Sequence, residues 1–197
     1  GFSSTYDDLA DLLDSPADWI SPGRPISLTH DYLENPPAAD GLKVIVSDSD
    51  HLATQLDNPS WIWKSMTRGL NPVFMDAFPP LDILGSADVT LIRKSMGYAR
   101  TYAAKMDLLS ATPRPDLGST KYVLANPGTE YLAYQPGTGS FTVNLSSGRY
   151  THEWLNPTTG SVTDAGSFSA PGGGKTFSPP FSGSAVLYIR SDPAVSP

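Results

Sequence analysis

An α/β segment followed by an all-β segment is the fold class that this 197-residue sequence predicts. Three observations carry the prediction. First, KVIVS at 43–47 is an apolar run of β-branched residues, the pattern of a strand buried on both faces in a parallel sheet. Second, helix signals bracket NPSWIWKSMTRG at 58–69, and a second strand and a second helix come after it, giving the order strand, helix, strand, helix. Third, after residue 110 short alternating runs are separated by Gly, Pro, Asn and Ser. Their spacing, roughly 8 to 12 residues per strand, is that of a small antiparallel sandwich.

Taken in order, residues 1–42 hold one helix candidate, TYDDLADLLDS, whose Leu9, Leu12 and Leu13 share a face at the helical period. SPADWISPGRP and ENPPAADG after it read as Pro- and Gly-punctuated loop. KVIVS is the first clear strand. In the helix at 58–69, Asn58 is the N-cap, Pro59 the first helical residue, Arg68 lies in the last turn and Gly69 is the stop. NPVFMDAF at 71–78 is the next strand. A longer helix is expected over 86–107, with Val89, Ile92, Met96, Ala99, Ala103 and Met106 as its apolar stripe. Two consecutive βα units imply parallel strands joined by a right-handed crossover.

SATPRPDLGS at 110–119 marks a change of composition and reads as a linker. Seven β candidates come next: KYVLAN, EYLAYQP, SFTVNL, RYTHEWLNP, GSVTDAG, KTFSPPF and SAVLYIR. Tyr122, Tyr131, Tyr134, Phe141, Tyr150, Trp154 and Tyr188 are the expected sandwich core. SAPGGGKT at 169–176 ends like a phosphate-binding loop, but Ser169 stands where that pattern needs Gly and no helix comes after it; it reads as a flexible hairpin loop.

Composition removes several functions. A hydrophobic fraction of 39% is enough for a core, while a formal net charge of −7 without clustered Lys and Arg argues against nucleic acid and leaves neutral or polar partners, sugars among them. Without Cys there is no disulfide, thiolate nucleophile or Cys-based metal site. No apolar run approaches the roughly 18 residues of a membrane helix. The start GFSSTYDD has no features of an export signal, and a chain beginning at Gly1 is expected to be a processed or truncated product.

The ionisable groups that stand out come directly after KVIVS, in SDSDH at 47–51. Carboxylates at strand ends are where α/β enzymes commonly keep their chemistry. Alternation puts Asp48 and Asp50 on one face and His51 on the other. A carboxylate pair can share a proton and raise one pKa into the range of a general acid. The competing roles are a cap for the next helix, a solvated loop, or ligation of a divalent metal by Asp48, Asp50 and His51, for which no further ligand cluster is evident. Asp76, at the tip of the second strand, is the next catalytic candidate, or else a turn residue before PPLD. His30, beside Asp31, either lines the same mouth or belongs to a solvated pair. Trp61 and Trp63 can stack on a sugar, although positions two apart do not share a helix face and core packing is the expected role of at least one.

VIVSDSDHL, then PSWIWKSMTRGLNPVFMDAF, then a β-rich tail with EWLNPTTG and FSPPFSGSAVLYI resembles the C-terminal part of apiosidase-like glycoside hydrolases, over most of residues 40–190. The resemblance implies a (β/α)8 barrel followed by a β-sandwich labelled as collagen-binding. In it, KVIVS and NPVFM correspond to the last two barrel strands. A whole barrel needs eight such units and about 250 residues. The expected organisation is therefore an incomplete barrel fragment over 1–110 carrying the last two βα units, a linker over 111–119, an antiparallel β-sandwich over 120–191 and a tail over 192–197. The implied function is that of a fragment of a glycoside hydrolase acting on polysaccharide side chains, inactive alone. Asp50, Asp48 and Asp76 would be catalytic, and His51, His30 and Trp61 would bind substrate. The implied partners are a carbohydrate and the N-terminal barrel portion of the same protein, with no metal or other cofactor, no nucleic acid and no membrane, in a secreted or periplasmic setting. The reading from another class is a carbohydrate-binding or structural sandwich supported by the αβ segment. A planar row of exposed aromatics would favour sugar binding, and buried aromatics a structural role.

Overall fold

The computed structural model describes residues 2–4, 9–23, 31–49, 51, 58–75 and 89–192. The chain divides into two compact units, 1–99 and 100–197.

In the first unit, β1 (Phe2–Ser4), α1 (Leu9–Asp14), β2 (Trp19–Pro22), β3 (Val44–Asp48), α2 (Ser60–Thr67) and β4 (Asn71–Val73) precede α3 (Thr90–Lys105), which continues across the division. The four strands form one sheet in the order β1-β2-β3-β4, and every neighbouring pair is parallel. The strand–helix–strand–helix order expected from residue 43 onward is present.

The segment SPADWISPGRP, expected to be loop, contains an inner strand instead. β2 is only four residues long and bounded by turn-forming residues, so its own sequence carries little strand pattern; pairing with β1 and β3 on its two sides holds it. Lys43 adds to this by donating from Nζ to the carbonyls of Ser15 and Ala17 at 2.6 and 2.8 Å. The helix α1 is present as expected, with Leu12 buried and Leu13 43% exposed.

Helix α2 begins at Ser60 rather than Pro59, so Pro59 and not Asn58 is its N-cap, without a side-chain capping bond; Asn58 lies one residue earlier, where its Oδ1 accepts from the Ser60 N–H at 3.0 Å. At the other end the Gly69 N–H donates to the Met66 carbonyl and the Leu70 N–H to the Ser65 carbonyl, the paired bonds of a left-handed C-terminal cap. Gly69 has φ 76°, which is why a glycine stands there. The helix is buried nearly all round, so Trp61 and Trp63 are both interior despite their spacing. On α3 the buried stripe is Ile92, Ser95, Ala99 and Tyr102, extended by Val89 just before the helix and Met106 just after it. Met96 and Ala103, expected in the stripe, are half-exposed, because Ser95 and Tyr102 take the buried positions beside them.

The second unit holds β5 (Thr112–Pro113), a 3-10 turn (Pro115–Leu117), β6 (Val123–Asn126), β7 (Glu130–Gln135), β8 (Phe141–Leu145), β9 (Gly148–Leu155), β10 (Val162–Ala170), β11 (Gly173–Phe177) and β12 (Ala185–Ser191). All seven β candidates are strands. They form a six-stranded antiparallel sheet, β10-β9-β12-β7-β6-β5, and a two-stranded one, β11-β8. Residues 111–119, expected as linker, supply the edge strand β5, paired with β6, and the 3-10 turn. The loop APGGGK is not a hairpin: it passes from β10 in the large sheet to β11 in the small one, with Gly172 and Gly173 at φ 100° and 91°.

Between the sheets lies a core of Val123, Tyr131, Phe141, Val143, Tyr150, Trp154 and Leu187 among others. Tyr122, Tyr134 and Tyr188 are also buried, but alternation places them on the opposite side of the large sheet from Tyr131 and Leu187. Tyr131 is a polar hub inside the core. Its hydroxyl accepts from the Gly128 N–H at 2.8 Å and the Ser146 N–H at 3.0 Å. Burial alone would push this phenol up, but the hydrogen bonds it receives bring it below the ordinary value.

Candidate functional site at the strand ends

The parallel sheet has two unlike faces. Pairing aligns Trp19 with Val44 and Asp48 with Val73, so Trp19, Ser21, Val44, Val46, Asp48 and Val73 share one face. Ile20, Pro22, Ile45 and Ser47 lie on the other and are buried. The first face is open: Trp19 is 46%, Val44 53% and Val73 38% exposed.

At the C-terminal ends of β2 and β3 this open face becomes polar. Asp48 is the last residue of β3, half-buried, with Oδ1 withdrawn from solvent. The strand stops there, so strict alternation no longer governs the residues beyond it. His51, expected on the face opposite Asp48, sits in the turn, and its Nδ1 lies 2.9 Å from Oγ of Ser21, on the same face as Asp48. Ser49 completes the rim: its N–H donates to the Val73 carbonyl at 3.0 Å and its Oγ accepts from the Met75 N–H at 2.9 Å, tying the end of β3 to that of β4.

The structure therefore brings Asp48 and His51 to one end of one face, together with Ser21 and Ser49, which sequence reasoning missed. Asp50, Asp76 and His30 lie outside the described residues. Trp61 is 2% exposed, so packing rather than stacking on a sugar is the role its ring fills in this chain. Asp31 caps a turn, its Oδ1 accepting from the N–H groups of Leu33 and Glu34, both at 3.0 Å. Among the described residues no group of three or more His, Asp or Glu is placed to hold a metal ion, and no helix is long and apolar enough to cross a membrane. An aspartate, an imidazole and two hydroxyls at the C-terminal ends of parallel strands suit acid–base chemistry or hydrogen bonding to a polyhydroxylated ligand.

The second unit carries a different polar cluster, on the side of the large sheet away from its core. Glu130 accepts from the Tyr188 hydroxyl at 2.9 Å and the Asp107 N–H at 2.7 Å. Glu153 accepts from the Tyr102 hydroxyl at 2.8 Å and pairs with Lys105. Burial, and then the glutamate each phenol bonds, raise Tyr102 and Tyr188 above the usual tyrosine range, so both remain donors. An open hollow of about 480 Å³ beside this cluster is lined by Thr151, Glu153, Asp164, Tyr188 and Arg190 among others. Tyr122, Tyr131, Tyr134, Phe141, Tyr150, Trp154, Phe177 and Tyr188 are all buried, so none contributes to a planar row for sugar stacking.

Residues 115–187 match the model of a family described as "Putative collagen-binding domain of a collagenase". No curated protein sequence matches the chain. Solved structures share its fold. One, named glycoside hydrolase, has 12% identity and a TM-score of 0.58, with 93% of this chain and 44% of that one aligned. Another, a glycoside hydrolase family 5 protein from Bacteroides vulgatus, has 13% identity and a TM-score of 0.58, over 95% of this chain and 45% of that one. The chain thus spans less than half the length of these structures, and what they share with it is fold.

Proposed function

We propose that this chain is part of a glycoside hydrolase, in which 1–110 is the closing portion of a (β/α)8 barrel and 120–191 is an accessory β-sandwich. The observation that carries this reading is the sheet of the first unit: four parallel strands that are neighbours in chain order, with ionisable groups at their C-terminal ends. A doubly wound sheet reverses its strand order at a switch point, whereas the wall of a barrel does not. The open apolar face fits the interior of such a wall, which layers of bulky side chains from the other strands would fill.

In this reading Asp48, Asp50 and Asp76 are the catalytic candidates and His51 and His30 bind the sugar. Acid and nucleophile in such sites flank the scissile bond, about 5–5.5 Å apart for retention or about 6.5–9.5 Å for inversion. A carboxylate from a strand in the rest of the barrel would complete the pair. The chain alone is then inactive. The test is glycoside hydrolysis by the longer protein with and without Asp48→Asn and Asp50→Asn. Loss of general acid–base or nucleophilic function lowers turnover by at least about a hundredfold with folding intact. Normal turnover in both variants would assign the cluster to structure. The buried aromatics support a structural role for the sandwich in preference to sugar capture.

A further inference from the structure

We propose that the first unit carries a separate binding site for a small organic cation, whose apolar body sits in the hollow lined by Leu13, Tyr32 and Ile45 while its ammonium group meets Asp14, Asp40 and the Tyr32 hydroxyl. The hollow measures about 300 Å³, the lower end of the range for small-molecule sites, and Pro37 and Ala38 add to its apolar walls. Leu42 and Lys43, also in the lining, directly precede β3, so the hollow lies at the other end of that strand from Asp48. The site is independent of the glycoside-hydrolase reading.

The first observation is an unused polar group. Tyr32 is 2% exposed, yet its hydroxyl has no hydrogen-bond partner among the described residues. A buried hydroxyl is normally paired, so the partner has to come from the hollow that Tyr32 lines. Burial, and then the charge of Asp40, push this phenol up to about 12, so it remains protonated and its oxygen can accept from an ammonium N–H.

The second observation is charge. Lys43 is turned to the chain, its Nζ donating to the carbonyls of Ser15 and Ala17 at 2.6 and 2.8 Å. Asp14 and Asp40 are exposed, and neither forms an ion pair among the described residues. Asp40 accepts from the Leu42 N–H through Oδ1 at 2.9 Å, which leaves its other oxygen for a ligand. Lys43 offsets one of the two carboxylate charges, and the other has no counterion. An anion would meet net negative charge here, and a neutral polyol would leave the apolar walls unmatched. A cation with an apolar body suits both.

Three probes with one ring and different head groups test this: 2-phenylethylammonium, 2-phenylethanol and 3-phenylpropanoate, each titrated into the full chain and followed by 15N amide shifts. The expected result is saturable shifts at Leu13, Ala38 and Leu42, with the amine bound most tightly and the anion least. Asp14→Asn and Asp40→Asn should each weaken the amine about two- to fivefold, the range of exposed ion pairs, and leave the alcohol unchanged. Together they should bring the amine down to the alcohol. Tyr32→Phe, which keeps the ring, should weaken both. Asparagine retains the Oδ1 acceptor at position 40, and unchanged amide spectra of β2 and β3 show that the variants fold. Absence of saturable shifts at the hollow, shifts centred instead on Trp19 and Val73 of the open sheet face, an anion bound as tightly as the amine, or an amine preference that survives the double variant would each overturn the proposal.

Discussion

Replacing Tyr131 with Phe isolates the polar hub of the second unit. The ring stays in the core, where it meets Tyr150 edge-on at 6.0 Å, but the hydroxyl that accepts two backbone N–H groups is gone. Each lost bond costs about 1 kcal/mol net, because Gly128 is only partly buried and Ser146 is exposed, so water can reach both donors. The expected cost is therefore about 2 kcal/mol. Tyr150→Phe is the control. It keeps the same ring contact but removes a hydroxyl that donates to one carbonyl, that of Ser146 at 3.0 Å, for about 1 kcal/mol. For a unit of this size these values correspond to falls in Tm of roughly 10 and roughly 5 °C. Urea and thermal unfolding of the whole chain, followed at the amide resonances of β7 and β12, measure both. A Tyr131→Phe variant no less stable than Tyr150→Phe would refute the hub argument.

Four further outcomes are expected. His152 packs edge-on between Phe168 and Phe177, and its pKa is held below the ordinary value, chiefly by burial and also by Lys175, against the Gly166 carbonyl and Asp164. The native state then binds fewer protons than the unfolded state, so stability is full above pH about 6.5 and declines as pH falls through the lowered value; a His152→Gln variant should show a flatter profile there. Gly118 has an extended backbone, but a Cβ on it would lie 2.5 Å from Cγ2 of fully buried Val123, so Gly118→Ala should cost about 1–3 kcal/mol by denaturant unfolding. Gly97→Ala, on an exposed helix position with nothing within 4 Å, should instead gain about 0.8–1 kcal/mol. Finally, the open sheet face should bind a hydrophobic dye, and Trp19→Thr with Val44→Thr should reduce that signal; a wild-type chain that binds none would argue against the apolar face being accessible.

Legibility in the sequence depends on how local the determining interactions are. Seven of the eight strands of the second unit are read correctly because alternation and turn residues are local, and Tyr131, Tyr150 and Trp154 fall in the core that alternation requires. Gly69 ends α2 as expected because capping is also local, whereas the helix start falls one residue later than Asn58 and Pro59 imply. β2 was not legible. Four residues between turn formers have no pattern of their own, and only neighbouring strands make them a strand. The stripe on α3 shows a finer limit: Ser95 and Tyr102 are buried where hydrophobicity favoured Met96 and Ala103. At the site, Asp48 and His51 stand out as ionisable groups after an apolar run, but Ser21 could not, since its pairing with His51 exists only once β2 and β3 are side by side.

The meaning of each carboxylate depends on the donors its surroundings provide. Glu130 and Glu153 are met by phenols that burial keeps protonated, by a backbone N–H and by Lys105, so their acceptor capacity is used within the second unit. Such carboxylates hold a fold. Asp48 is placed differently, at the end of a strand whose exposed face is apolar, on the same face as Ser21, whose Oγ lies 2.9 Å from Nδ1 of His51. Covering that face with further barrel strands would lower the local dielectric around Asp48 while the strand ends stayed open to a ligand. A carboxylate so placed has its proton affinity raised by burial, which is what a general acid requires near neutral pH. In the uncovered sheet the same residue is only half-buried. In the proposed reading the chemistry of Asp48 therefore depends on the completed barrel, and turnover measured with and without the proposed covering strands tests the covering as directly as it tests the residue.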